Sequence, residues 1–307
     1  MSRGIAIIGM GKIARDQHLP AIAASGDFHL AGVVSGHASD LDVPTERTLA
    51  ELVARVPDLA AVSICTPPMA RTPLIEQALA LGLDVMVEKP PAATLSEAER
   101  FAPMARTAGR SLFLTWHSRE ANAVAPLADW LDGRSIRSLR IDWKEDVRVW
   151  HPGQEWIWQP GIGVFDPGVN ALSILTRLLP DVTMHEALLR YPSDRAAPIA
   201  ADLMLASARV PRIDAAFSFD QRGPQTWSIA IETDDGDALL RDGGARLSIG
   251  GVDVAVRDIG EYPGLYRRFA GMVGRGMIEA DLAPFRLVAD AFMLGRHERV
   301  GPFRWND

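Results

Sequence analysis

The string Gly9-Met10-Gly11-Lys12-Ile13-Ala14 follows an apolar run at residues 5–9 and opens a helical pattern at 12–25. Strand, glycine turn and helix in that order aim backbone N–H groups and a helix dipole at an anion. Gly9 permits the tight turn, Gly11 lets backbone approach a pyrophosphate, and Ala14 is small enough for helix to pack on strand. A second group is Val85-Met86-Val87-Glu88-Lys89-Pro90-Pro91. A buried strand that ends in Glu-Lys and two prolines sets Lys89 at the carboxyl edge of a parallel sheet, where ligands bind in such folds. An exposed strand-end lysine is the commonest fate of the residue, so position alone assigns it no task. Further on, Asp166 and Asn170 lie one helical turn apart and share a face. Four of the eight tryptophans, Trp143, Trp150, Trp156 and Trp158, crowd one short segment broken by Pro and Gly. One or two of these are packing, but ring faces beside polar groups also suit the C–H faces of a pyranose.

The elements that must carry these residues read as two textures. From residue 4 to about 117, apolar runs at 5–9, 30–35, 60–65, 85–88 and 111–116 alternate with helical patterns at 12–25, 45–54, 71–81 and 94–108. Strict alternation predicts a parallel sheet with helices on both faces. After Ser118 a helix at 123–131, a strand at 138–143, the Trp-rich loop and a helix at 167–179 are followed by strand candidates from 182 to 256. Turn signals such as Asp234-Asp235-Gly236 separate those strands, and helical patterns at 263–277 and 282–294 close the chain. The expected fold is therefore α/β: an N-terminal dinucleotide-binding domain at 1–118, and an α+β domain at 119–307 with a large, mostly antiparallel open sheet. Asp166 followed by Pro167 predicts an N-cap and first helical residue. A one-layer sheet with helices on one side leaves an open face, which predicts a homodimer formed through apolar surface there.

With 307 residues, 48% hydrophobic and 23% charged, the chain suits two globular domains. A net charge of −7 disfavours nucleic acid and anionic membrane as partners. No apolar run approaches a bilayer span. The first residues run straight into the glycine turn, so no leader is expected, and the lone Cys65 excludes an internal disulfide; the chain reads as cytoplasmic. Cys65 itself is expected to be a small buried hydrophobe. His151 and Glu155 have no third clustered ligand and no metal-site spacing, so no metal is expected.

Dinucleotide proteins that select NAD usually end the second strand in Asp or Glu, which binds the ribose 2′-hydroxyl. This chain has Ser35-Gly36-His37, with the first acid at Asp40. Nothing there repels a 2′-phosphate, and Ser35 and His37 can donate to one; a polar loop without selectivity is the alternative. NADP use alongside NAD is expected.

The glycine motif, Thr66-Pro67-Pro68 and Glu88-Lys89-Pro90 together resemble the Gfo/Idh/MocA oxidoreductases. Residues 114–119, 143–148, 150–153 and 163–171 are similar to the branch that oxidises L-arabinose and D-galactose at C1, so the resemblance spans nearly the whole chain. It implies a nicotinamide cofactor, hydride transfer and a catalytic lysine at Lys89, often preceding a cis proline bond. It also implies cofactor contacts from Gly9, Gly11, Lys12, Ile13, Ser35 and His37, and from Thr66, Pro67, Glu88 and Lys89. Substrate contacts fall to His117, Glu145, Trp150, His151 and Trp227, where strand packing is an equal reading for Trp227. Much of the family places His four residues after the Asp; here Asn170 stands there and cannot titrate, so it should orient a hydroxyl. Lys89 then polarises or transfers the proton, with Asp166 as carboxylate partner. Glu145, at the end of a strand, can accept from neighbouring hydroxyls, or sit in a surface pair with Lys144 or Arg148. The expected activity is an aldose 1-dehydrogenase acting on a pyranose of the L-arabinose, D-galactose or D-fucose type. Oxidation of a non-anomeric ring hydroxyl, as in inositol-type members, and a non-catalytic NAD(P)-binding sensor are the rivals.

Overall fold

A computed structural model describes residues 2–36 and 40–306. Two compact units divide the chain: Met1–His117 with Ile259–Leu282, and Ser118–Asp258 with Ala283–Asp307.

The first unit is built on a parallel sheet. Its strands run in the spatial order Ile278–Glu279, Leu112–Leu114, Asp84–Val87, Leu59–Ile64, Arg3–Ile8, Phe28–Val34 and Thr45–Glu46. From the central strand Arg3–Ile8 the chain winds to one side through two strands, then crosses to Leu59–Ile64 on the other. This reversal makes the switch point at which ligands bind in open α/β sheets. Capping boxes start two crossover helices, Thr48 with Glu51 before Leu49–Arg55, and Thr94 with Glu97 before Leu95–Ala108. The first cap also corrects the helix expected over 45–54: Thr45–Glu46 is an edge strand beside Phe28–Val34. The helix after the glycine turn carries a π-turn at Ala14–His18, which runs into Leu19–Ala23. A π-turn holds one residue more than an α-turn and so re-aims the side chains around it. His18 is fully buried there.

Assigning all of 119–307 to a second domain is corrected by the helix Glu261–Met272, which belongs to the first unit. Its Tyr262, Leu265, Tyr266 and Phe269 join Ile5, Ile7, Phe28 and Phe113 in one core. Phe269 stacks between Phe28 and Phe113 at 5.9 and 6.3 Å. Burying each such side chain stabilises by roughly 1.5–3 kcal/mol, which fastens this distant segment to the sheet.

The second unit carries a nine-stranded sheet, ordered Val252–Asp253, Arg246–Ile249, Gly236–Arg241, Thr226–Thr233, Ile136–Lys144, Val210–Ser218, Ala200–Ser207, Thr183–Pro192 and Arg296–Val300. Ile136–Lys144 with Val210–Ser218, and Thr183–Pro192 with Arg296–Val300, pair in parallel, while the other neighbours are antiparallel. Helices Val124–Leu131, Phe165–Leu178 and Ala283–Leu294 pack on one face. The last strand, Arg-His-Glu-Arg-Val, is polar and exposed at the sheet edge, so alternation gave no sign of it. The open face is mixed rather than apolar throughout, with Leu188, Met204, Ala216 and Leu239 set among charged residues. It carries Arg140, Asp142 and Lys144 on one strand, Arg212 and Asp214 on the next, and Arg190 paired with Asp202 and Glu298.

Candidate active site

At the switch point of the first unit, Gly9 adopts φ +94°, and a Cβ there would stand 2.8 Å from the Thr66 methyl. The Gly9 amide donates to Val34 O at 2.9 Å, and the Cys65 amide donates to Ile8 O at 2.8 Å. The turn is thus pinned between two strand ends with no room for a side chain. The Thr66 hydroxyl is buried with no hydrogen-bond partner among the described residues. Gly11 is exposed, with open space where a Cβ would be. A bare glycine cradle beside an orphaned hydroxyl fits a phosphate-bearing dinucleotide. Lys12 is exposed and paired with Asp16, Ile13 is partly exposed, and Pro67 precedes the turn Pro68–Ala70. Ser35 follows the second strand, its amide donating to Glu46 O at 3.0 Å. Asp40 is exposed and salt-bridged to Arg15 at 2.9 Å. His37 lies outside the described residues.

Lys89 is half-buried at the end of Asp84–Val87, and its bond to Pro90 is cis. Its amide donates to Glu88 Oε2 at 2.9 Å. The Glu88 carboxylate is buried, and Oε1 accepts from Tyr262 Oη at 2.7 Å and lies 2.9 Å from His18 Nε2. Burial works against that charge, but the hydrogen bond and charge of His18, the charge of His117 and the Tyr262 hydroxyl hold the carboxyl far below the usual range. His117 sits 2.7 Å from Glu261 and stacks on Tyr262 at 5.5 Å. Burial opposes its protonation; the Glu261 carboxylate outweighs this and raises its pKa, while the charge of Lys89 works the other way.

In the second unit, strand parity explains Glu145. Leu139, Ile141 and Trp143 alternate onto the helix-covered face, and Glu145 is the next residue of that series, with 8% exposure. Trp227, opposite Trp143 in the sheet, donates its indole N–H to Glu145 Oε2 at 2.9 Å. Trp150, 42% exposed, meets Trp227 edge-on at 5.7 Å and donates to Gln225. Lys144 pairs with Asp142, and Arg148 with Asp146 and Asp220, so Glu145 is not the surface partner of either cation in these pairs. Trp143 and Trp158 are buried packing.

The helix Phe165–Leu178 begins two residues before the expected start. Gly163, at φ +61° and pressed against Pro198 O, turns the chain into the helix, and Asp166 makes no cap. Pro167 stays within the first turn, where its missing N–H costs nothing. Released from capping, Asp166 Oδ2 meets His151 Nε2 at 3.1 Å. Trp156 and Phe219 hold that imidazole edge-on at 5.4 and 5.8 Å. Asn170, half-buried, follows one turn later. The structure therefore brings a histidine to Asp166 from the preceding loop, although the helix itself lacks one.

A model of an oxidoreductase family with an NAD-binding Rossmann fold matches residues 3–115. A galactose 1-dehydrogenase of Pseudomonas fluorescens is 44% identical over 301 residues, covering 97% of this chain and 98% of that protein. The chain belongs to the Gfo/Idh/MocA oxidoreductases. The crystal structure of a D-galactose-1-dehydrogenase from Rhizobium etli superposes with TM-score 0.94 at 46% identity, covering 99% of both chains. A 3-ketoreductase from Actinomadura kijaniata, solved with NADP and TDP-benzene, has TM-score 0.85 over 98% of this chain and all of its own, and at 20% identity shares the fold alone. Family membership makes this chain an oxidoreductase with an NAD(P)-binding Rossmann domain, as the resemblance implied. Three polar residues around Lys89 escaped the sequence: His18, Tyr262 and Arg71. Arg71 is buried and donates to Thr66 O at 2.7 Å and to the carbonyls of Glu88 and Pro90. Tyr266 falls within the expected helix at 263–277 and Tyr262 one residue before it, so their four-residue spacing was a visible hint.

Proposed function

We propose that this chain is an NAD(P)-dependent aldose 1-dehydrogenase that oxidises the anomeric carbon of a D-galactose, D-fucose or L-arabinose type pyranose to its lactone. The observation that carries this is the buried Glu145 carboxylate held by the Trp227 indole, with the exposed ring of Trp150 against Trp227. A carboxylate that accepts from hydroxyls and ring faces that meet C–H surface are what a pyranose requires. The 44% identity to a galactose 1-dehydrogenase supports the same substrate class.

Oxidation at C1 removes a hydride from carbon and a proton from oxygen. A bound nicotinamide supplies the hydride acceptor. Lys89 donates a hydrogen bond to the anomeric oxygen and stabilises negative charge as the proton leaves. Asp166 accepts that proton, and His151, 3.1 Å away, gives it an onward route. An anomeric hydroxyl is more acidic than an ordinary alcohol, so a carboxylate suffices as base. Asn170 orients a neighbouring hydroxyl without titrating. Ser35 presents no carboxylate to a 2′-phosphate, which favours NADP use at least comparable to NAD. We also propose a homodimer through the open sheet face, where apolar side chains such as Leu188, Met204 and Leu239 lie among charge pairs and a two-fold axis would cover them; a stable monomer at micromolar concentration in sedimentation would remove it.

A cofactor-reduction screen over D-galactose, D-fucose, L-arabinose, D-glucose and D-xylose tests the activity. Turnover of the first three with either cofactor is expected. Absence of turnover with all five would refute it.

A further inference from the structure

We propose that His18, Tyr262 and Arg71 are positioning residues, which fix Lys89 by holding Glu88 and the peptide groups around it; this rests on Lys89 being the group that meets the reacting hydroxyl.

Three backbone groups around the lysine are held. The Lys89 amide donates to Glu88 Oε2 at 2.9 Å, and the Arg71 guanidinium donates to the carbonyls on both sides, Glu88 O and Pro90 O. These three bonds restrict the backbone from which the Lys89 side chain springs. The Glu88 carboxylate is in turn fixed by Tyr262 Oη at 2.7 Å and His18 Nε2 at 2.9 Å. His18 is held at its other nitrogen as well, where Nδ1 lies 2.8 Å from Tyr266 Oη and 3.1 Å from Ser63 Oγ. Tyr262 is packed against the His18 ring at 5.0 Å.

Stability alone does not account for this arrangement. Replacing a buried ion pair with well-packed apolar side chains is often neutral or favourable, so a core has no need of one. What the ion pair adds is direction, because each hydrogen bond admits a narrow range of positions. The π-turn supports the same conclusion. It departs from regular helix immediately after the nucleotide motif, and His18, its last residue, is the one that reaches Glu88. Such turns recur at functional sites. The three contributors come from the helix behind the glycine cradle, the helix Arg71–Ala80 that follows the strand Leu59–Ile64, and the distant helix Glu261–Met272. All belong to the first unit.

The test compares Tyr262→Phe, Glu88→Gln, His18→Phe, His18→Gln and Lys89→Ala with wild type, using D-galactose, its C1-deuterated form and NADP. Tyr262→Phe deletes one hydroxyl and keeps the ring, so it reports even if a bolder variant fails to fold. A reacting group misplaced by about 1 Å costs on the order of a hundredfold, so kcat should fall about ten- to a hundredfold in Tyr262→Phe and Glu88→Gln. NADP affinity in Tyr262→Phe and Tm in both should stay close to wild type, while the deuterium isotope effect on kcat rises as hydride transfer becomes limiting. In a Glu88→Gln background Tyr262→Phe should add little, since both act through one carboxylate. His18→Gln, which keeps an N–H donor, should recover part of the kcat lost in His18→Phe. If Lys89→Ala is inactive while Tyr262→Phe keeps wild-type kcat and isotope effect, the positioning role is wrong and the lysine assignment stands. If Lys89→Ala turns over normally, the lysine assignment itself fails and the positioning role with it. Additive losses, or kcat falling in step with Tm and NADP affinity, would reduce the network to structure.

Discussion

Glu145→Gln replaces one oxygen by an amide and leaves volume and shape nearly unchanged. The buried position of Glu145 makes this the right substitution. Truncation to Ala would strand the Trp227 indole N–H, now 2.9 Å from Oε2, and an unpaired buried donor costs about 1–3 kcal/mol on its own. The amide oxygen of Gln keeps that bond, so the fold and the Trp227–Trp150 wall persist. What changes is the acceptor offered to the sugar. A hydrogen bond to a charged group is worth roughly 1.5–3 kcal/mol, and a neutral one about 0.5–1.5. If Glu145 accepts the axial C4 hydroxyl shared by D-galactose, D-fucose and L-arabinose, D-glucose presents that hydroxyl equatorially and leaves the acceptor desolvated and unpaired. Discrimination of about ten- to a hundredfold from this contact is expected in the wild type. Glu145→Gln should lower kcat/KM for D-galactose by about tenfold and for D-glucose far less, so their ratio contracts. The assay is initial-rate cofactor reduction for both sugars, with Tm measured in parallel. An unchanged ratio, or equal loss of both activities at constant Tm, would show that Glu145 does not read C4.

Asp166→Asn should lower kcat by about a hundredfold or more, since a general base contributes about 10²–10⁴. Because Asp166 does not cap its helix, Tm should hold; full activity would remove the proton role. Ser35→Asp should move cofactor preference strongly towards NAD by repelling the 2′-phosphate, and a wild type that rejects NADP outright would contradict the assignment at Ser35. The His18–Glu88 pair predicts a pH window. Burial resists the charge on His18, but Cys65, Tyr266 and Glu88 outweigh it and hold its pKa well above the unfolded 6.5. Its contribution to stability is complete below 6.5 and is lost as pH rises through the higher folded value. The depressed Glu88 contributes above its unfolded 4.5 and loses that as pH falls through its lower folded value. The Tm gap between wild type and His18→Gln should therefore be widest between pH 4.5 and 6.5 and narrow in alkaline buffer. A gap independent of pH would contradict the charged pair.

Local chemistry was legible in the chain and long-range pairing was not. Gly9 reads as a forced turn because only a residue without Cβ fits beside Thr66, and a strand–turn–helix context announces that. Lys89 reads from its place after a buried strand. The Asp-Pro signal at 166–167 misled because cap preference is local, while Gly163, packed on a distant carbonyl, had already started the helix. Resemblance named both His151 and Asp166, but their union across 15 positions needs the folded loop. His18 and Tyr266, 248 positions apart, meet only because a π-turn and a returning helix converge. The open sheet face was expected to be apolar because a one-layer sheet has two sides. Its Arg and Asp residues, alternating with buried neighbours, show that this side faces away from the core.

The central claim is oxidation at C1, and the most direct measurement follows the atoms. D-Galactose deuterated at C1 is turned over with NADP or NAD, and both products are examined by NMR. Deuterium on nicotinamide C4, together with the galactonolactone or the acid it opens to, is the predicted result. A stable ketosugar with deuterium retained at C1, or no reduction of either cofactor, would contradict it.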